Sequence, residues 1–151
     1  MTLTTQQIKD VLEQQFSGCL GQTAQRIMQI SNGFQYSWSA SGTCGNRITN
    51  VTLTPTDLTA NPALPTLTGA PDLLVINGVV QHASKTYRVT VNNFMATGGD
   101  GYSTFAAGQA KLGGAQDIDA LVAYLQAFKA PAAPYNPASP TLSKPRMTRT
   151  N

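Results

Sequence analysis

Two hydrophobic periods alternate along this chain. Near the start, Ile8, Val11, Leu12 and Phe16 recur at helical spacing. Thr4, with Gln7 three residues on, forms a capping-box pair, which predicts a helix beginning just after Thr4 and covering a sheet. Met28 and Ile30, then Phe34, Tyr36 and Trp38, alternate with polar residues on either side of Asn32-Gly33, so strands joined by a short turn or bulge are expected. Residues 47–54 continue as another alternating strand. Residues 56–71 contain Pro62, Pro65, Pro71 and Gly69 and read as a long surface loop. A short apolar strand over 73–80 is interrupted by Asn77-Gly78. The last helix is predicted from Asp117, with Ile118, Leu121, Val122, Leu125 and Phe128 on one face and Pro131 as its stop. From 130 to 145 there are five prolines and no apolar period, the composition of extended chain.

The segment 86–105, TYRVTVNNFMATGGDGYSTF, carries the most chemistry. Tyr87, Val89 and Val91 alternate with Arg88, Thr90 and Asn92, predicting a half-buried strand that ends near Phe94. Phe94 falls in phase with the polar set, so without a bulge its ring sits on the polar face and invites a partner. Gly98, Gly99 and Gly101 remove the side chains that hold another backbone or a ligand at a distance, and they tolerate positive φ. Asp100 between them can cap the loop's own amides or accept from ligand hydroxyls, and both roles can coexist. The alternative is a strand end with a Gly-rich turn and a core Phe.

Composition narrows the classes. A length of 151 residues suits one domain with a real core. Charged residues are only 11% of the chain, a low content common among exported proteins. The net charge of +3 reflects 10 Lys and Arg against 7 Asp and Glu, and Lys144, Arg146 and Arg149 lie in the last eight residues. Without those three the balance is 7 against 7, so basicity belongs to the tail. No basic stripe interleaved with aromatics points to nucleic acid. No run of 18 apolar residues predicts a membrane span, and MTLTTQQIKD lacks the basic and apolar regions of an export signal. Cys19 and Cys44 lie in Gly- and Ser-rich surroundings that suit surface turns. A disulfide between them would close a loop of about 25 residues and stabilise by about 3 kcal/mol in the chain-entropy model. Two unrelated buried thiols are the alternative.

Residues 92–105, NNFMATGGDGYSTF, resemble the hallmark N-x-F-h-A-x-G-G-D-G-[YF], where h is apolar, of the C-terminal domain of the 5'-nucleotidases, a family of secreted and periplasmic metallophosphatases. The opening MTLTTQQIKDVLEQQF is similar to that domain's h-x-L-x-G-x-x-[IL]-K-x-x-[LF]-E helix, with Thr5 where glycine is common. RIMQISNGFQYSWSA resembles its strand pair. The resemblance covers about residues 1–128, in order, and only roughly the last two thirds of the domain. It implies an α+β fold with helices packed on a mixed sheet, a partial domain over 1–129 and a Pro- and Ala-rich basic tail over 130–151. KPRMT, residues 144–148, is the counterpart of an arm that returns along the domain in the family. Met1 is then expected to be an internal methionine or an artificial start, with any export signal in a longer precursor, and the location periplasmic or extracellular.

The same resemblance implies a division of labour. An N-terminal metallophosphatase domain holds two divalent metal ions, while the C-terminal domain binds the base and sugar of a nucleotide or nucleoside. Phe94 matches the aromatic that stacks on the base, one half of a two-ring clamp. Asp100 matches the aspartate that accepts from ribose hydroxyls, and Asn93 the polar position before the ring. The partner ring and the phosphate-binding arginines of the family fall before Met1. The residues themselves agree that this chain is not a hydrolase alone: two-metal chemistry needs several His, Asp and Asn ligands, and His82 is the only histidine. His82 lies in a polar connection and reads as a solvated loop residue, and no serine has a nucleophile-elbow glycine pattern around it. No cofactor is expected in this chain. Three readings stand: a 5'-nucleotidase-like hydrolase fragment, inactive by itself; an autonomous nucleoside- or carbohydrate-binding module; or a structural exported domain with Phe94 in its core. A partial domain also predicts exposed sheet edge or apolar face, covered by self-association or a loose segment.

Overall fold

The structure is a computed structural model and describes residues 1–138 and 145–151; Lys144 lies outside the described residues. Strand β1 (Thr2–Thr4) runs directly into helix α1 (Thr5–Glu13). Thr4 makes the junction: its side chain accepts from the Gln7 amide at 3.2 Å, and its own amide donates to the Gln7 side chain at 2.9 Å. Two of the N–H groups that a helix start leaves without partners are satisfied this way. The apolar face then sinks into the core, with Ile8, Val11, Leu12 and Phe16 all buried.

Among the described residues the main sheet has five strands, in the spatial order β7 (Val79–Val80), β6 (Asp72–Ile76), β3 (Ile48–Leu53), β2 (Phe34–Ser39) and β9 (Met147–Thr150). β2 (Phe34–Ser39) pairs antiparallel with β3 (Ile48–Leu53), placing Tyr36 opposite Val51, with a register shift at Ser37/Trp38. β6 (Asp72–Ile76) pairs with β3 and turns back into β7 (Val79–Val80). Asn77 and Gly78 make that turn with φ of 49° and 80°, the two positive values that a tight hairpin matched to strand twist requires. β9 (Met147–Thr150) lies parallel to β2, which makes the sheet mixed. A ribbon of β4 (Thr56–Asp57) and β5 (Thr66–Leu67) occupies the proline-rich loop. β8 (Thr86–Arg88) pairs with β1 in a separate two-stranded sheet. Helices α2 (Asn93–Ala96) and α3 (Asp117–Gln126) complete an α+β fold.

α1 is fixed to the sheet by a buried charge pair. Glu13 is 1% exposed; its Oε1 accepts from Lys9 Nζ at 3.3 Å and from the Ile48 amide at 2.8 Å. Its Oε2 accepts from the amides of Gly45 and Arg47 at 3.0 and 3.3 Å. Lys9 also donates to the Gly45 carbonyl at 2.5 Å. Four donors offset the desolvation of the carboxylate and lock the entry to β3 onto the helix.

Two segments depart from their expected strands. Residues 28–31 enter no ladder, although Met28 and Ile30 are partly buried against the core. Their neighbourhood is bonded elsewhere: the Arg26 amide donates to the Gln15 carbonyl, the Met28 amide to Gln15 Oε1, and the Ile30 carbonyl accepts from Arg146. Similarly, the strand expected to reach Phe94 stops at Arg88. Between these segments and α1 lies a largely apolar groove of about 850 Å³, lined by Ile8, Val11, Met28, Ile30, Tyr87 and Val89 among others.

Candidate functional site

Asn92 decides where Phe94 goes. Its side chain accepts from the Met95 amide at 2.8 Å, an N-cap that turns the chain from extended into the single turn α2. Phe94 therefore projects from a helical turn and not from the polar face of a strand, correcting the expectation drawn from its phase. The exposure inferred from that phase survives by another route, because Phe94 is 57% exposed. Asn93, the first residue of α2, is exposed beside it.

The ring rests on Gly99. A Cβ built there would lie 2.5, 2.6 and 2.6 Å from Cε1, Cδ1 and Cζ of Phe94. Near-equal distances to three consecutive ring atoms place that point over the ring plane, so one face of Phe94 covers the glycine. Any other residue at 99 must push the ring away. Gly98 and Gly101 have φ of 92° and 82°, and Asp100 itself stands at 57°, an uncommon conformation for a residue with a side chain. Space is short at Gly101 too, where a Cβ would come within 2.8 Å of the Gln22 side chain.

What holds Asp100 in this backbone is a set of polar side chains from the end of α1 and the loop after it. Gln22, 3% exposed, donates from Nε2 to the Asp100 carbonyl at 2.9 Å. The Asp100 carboxylate faces Arg26, with Oδ1 3.2 Å from Nη1. Arg26 is held in turn, since its carbonyl accepts from the Tyr102 hydroxyl. Tyr102 is buried, and burial first, then the nearby Tyr36 and Asp100, pushes its hydroxyl up to about 12 despite the opposing pull of Arg26. Gln14 spans the next turn, donating to Ser103 Oγ at 2.8 Å and accepting from the Thr104 amide at 3.2 Å.

Phe94 and Gly99 are in contact and Asp100 follows directly in the loop, with Gly98 and Gly101 at positive φ on either side; the glycine at 99 makes room for the Phe94 ring and not for the outside group expected from the pattern. Gln14, Gln22 and Arg26 were missed. Gln14 offered one signal: it lies three residues after Val11, on the side of α1 that faces inward, where a polar residue needs internal partners. Gln22 and Arg26 carry no local signal. Cys19 is buried and Cys44 exposed, and both are thiols here. Burial, followed by the hydrogen bond with the neighbouring Cys44 side chain, pushes the Cys19 thiol up to about 11. The two side chains are therefore adjacent. His82 is exposed in its loop.

Chemically, the site offers one open aromatic face and one half-exposed carboxylate paired to a guanidinium. Among the described residues, no three His, Cys, Asp or Glu side chains gather in the manner of a metal centre, and no helix is long and apolar enough to cross a membrane. The residues present do not fit a dimetal site, so no metal-dependent step is assigned to them.

Comparison with known proteins gives this geometry a family. The fold matches the crystal structure of a 5'-nucleotidase precursor from Thermus thermophilus, with a TM-score of 0.62 and 25% identity, covering 100% of this chain and 24% of that one. This chain therefore spans about a quarter of that protein's length. No curated protein matches the sequence. The family model for the C-terminal domain of 5'-nucleotidases matches residues 1–107, which include α1, the main antiparallel strands and the whole Phe94–Gly101 site. On that match the chain belongs to the 5'-nucleotidase C-terminal domain family.

Proposed function

We propose that this chain is the substrate-binding portion of a 5'-nucleotidase-like phosphoric ester hydrolase acting on nucleotides outside the cytoplasm. The observation that carries the proposal is Phe94, 57% exposed, its ring seated on Gly99 by one face and adjoining Asp100. A core phenylalanine, as in a purely structural domain, would be covered. In this reading Phe94 stacks on the nucleobase, Asp100 accepts from ribose hydroxyls, Asn93 adds a polar contact beside the ring, and Gly98, Gly99 and Gly101 shape the loop, Gly99 as the seat of the ring and Gly101 against Gln22. Binding energy from the base and sugar then orients the phosphate toward metal ions held by a separate N-terminal domain, so contacts far from the reacting bond serve the chemistry. The 151-residue chain alone does not hydrolyse the ester.

One stacking wall contributes about 1–3 kcal/mol. The dissociation constant of the isolated chain for a nucleoside is then about millimolar or weaker. Isothermal titration with adenosine is expected to give little or no heat, and low-micromolar binding would contradict the one-wall picture. Phosphate release from adenosine monophosphate with added divalent metal should stay at the buffer rate. Turnover by the chain alone would overturn the assignment of chemistry to another domain. The exposed apolar faces also favour self-association at high concentration, and a strictly monomeric scattering profile would count against it.

A further inference from the structure

Arg26 has no role in the reading just given, although it is the group that touches the Asp100 carboxylate. Its side chain is 46% exposed and that of Asp100 48%. An ion pair so exposed adds little to stability, typically about 0–1 kcal/mol. The surrounding structure nevertheless fixes it from several sides. The Asp100 backbone is held at φ 57° by buried Gln22, and Tyr102 ties down the Arg26 backbone. A sparsely populated backbone conformation persists only where its surroundings over-determine it, and such places cluster at ligand clamps.

We propose that Arg26 is a specificity-determining residue that, paired with Asp100, makes the site selective for a ribose diol over a deoxygenated sugar, an inference that rests on the nucleotide-binding reading of the site. A sugar hydroxyl has one proton to give and lone pairs to receive. A lone carboxylate uses only the proton. With Oδ1 occupied by Arg26, the Asp100 carboxylate is held in one orientation and keeps Oδ2 for a hydroxyl proton. The remaining N–H groups of the guanidinium can donate to the oxygen of the neighbouring hydroxyl. Adjacent hydroxyls thus find an acceptor and a donor side by side, whereas a sugar without them leaves both polar groups facing it unpaired. Phe94 sees only the base and is indifferent to the difference.

The test follows amide shifts of the 151-residue chain while adenosine 5'-monophosphate or its 2',3'-dideoxy counterpart is added to tens of millimolar. The parent chain should bind the ribonucleotide about tenfold more tightly, as expected when one charged hydrogen-bond set is made or lost. Arg26→Gln should reduce that ratio to about twofold by weakening ribonucleotide binding alone, and Arg26→Lys should restore part of it, because lysine keeps the charge and loses the planar fork. If Arg26→Gln weakens both ligands equally, or leaves the ratio intact, Arg26 merely supports the loop and the inference fails. Equal binding of both ligands to the parent chain would overturn the diol selectivity while leaving Phe94 stacking in place. Absence of any shift with either ligand would remove the nucleotide reading itself.

Discussion

α1 and α3 look alike in sequence and end in opposite environments. In α1 the apolar positions Ile8, Val11 and Leu12 are 7%, 4% and 2% exposed; in α3 the corresponding Ile118, Leu121, Val122 and Leu125 are 52%, 51%, 44% and 54% exposed. Periodicity therefore announces a helical face without saying what covers it. The difference lies in the polar residues. α1 carries Lys9 and Glu13, then Gln14 and Gln15, all buried and all bonded to partners from other parts of the fold. α3 has no buried residue among those described; its aromatic residue Tyr124 meets Phe128 and Tyr135 in a small cluster near the helix end. The Phe94–Gly101 loop is attached to the first kind of region, which explains how an exposed ring and carboxylate keep a defined geometry.

The sharpest way to break that contrast is Glu13→Ala. It leaves Lys9 buried without its carboxylate and removes the acceptor of three backbone amides, for a loss of about 3–5 kcal/mol in urea denaturation. A loss below about 1 kcal/mol would mean that α1 is held by its apolar face alone. Next in size is the thiol pair. Because Cys19 and Cys44 adjoin, we expect oxidised glutathione to link them and stabilise the chain by about 3 kcal/mol, seen as a raised melting temperature that Cys44→Ser abolishes. Unchanged thiol counts after oxidation would refute the link.

A pH experiment probes the Tyr102 anchor. Its hydroxyl is raised from an ordinary 10.0 to about 12 in the fold. The stabilisation is complete below pH 10 and is lost as pH rises toward 12, because the unfolded chain releases this proton first. Stability should fall by about 2 kcal/mol across that window, and Tyr102→Phe should flatten the fall. Tyr36 and Cys19 are raised too and add slope of the same sign, so the slope missing from the variant is the quantity to measure.

Smaller still is Gly99→Ala. The ring that must move is largely outside the core, so stability should change by less than about 1 kcal/mol. Nucleotide binding should nevertheless fall as far as in Phe94→Ala, since the stacking face has been displaced. Retained binding would show that the ring's seat on Gly99 is unimportant. Leu121→Ala on α3 should change stability by about 0.5 kcal/mol or less, a surface value despite its place on an apolar face.

How legible the molecule was depended on the range of the forces involved. The Thr4–Gln7 cap and the alternation in β2 and β3 are local, and each follows from residues a few positions apart; the single interrupted strand expected over 73–80 is instead two strands, folded back on each other at Asn77-Gly78 because both residues take positive φ. The end of β8 was misjudged because Val89 and Val91 keep the strand period; the deciding group is the side chain of Asn92, which prefers to cap a helix. Residues 28–31 have the alternation of a strand, but Gln15 and Arg146 bond their stretch of backbone from far along the chain. Within the candidate site, Phe94 and the Gly98–Gly101 loop stand out in the sequence, while their supports do not. Gln22 reaches Asp100 across 78 residues and Tyr102 reaches Arg26 across 76. Isolated polar residues of this kind read as solvated surface until the fold brings in the groups they satisfy.

Everything proposed here turns on the Phe94–Asp100 loop being the nucleotide-facing surface of this chain, rigid because α1 and the segment behind it hold it. Mapping backbone amide shifts on addition of adenosine 5'-monophosphate, in the parent chain and in Phe94→Ala, tests it directly. Shifts concentrated at residues 93–101 are expected in the parent chain, with their loss in the variant. Shifts centred instead on the groove between residues 28–31 and 87–91, or a response that survives removal of the ring, would contradict it.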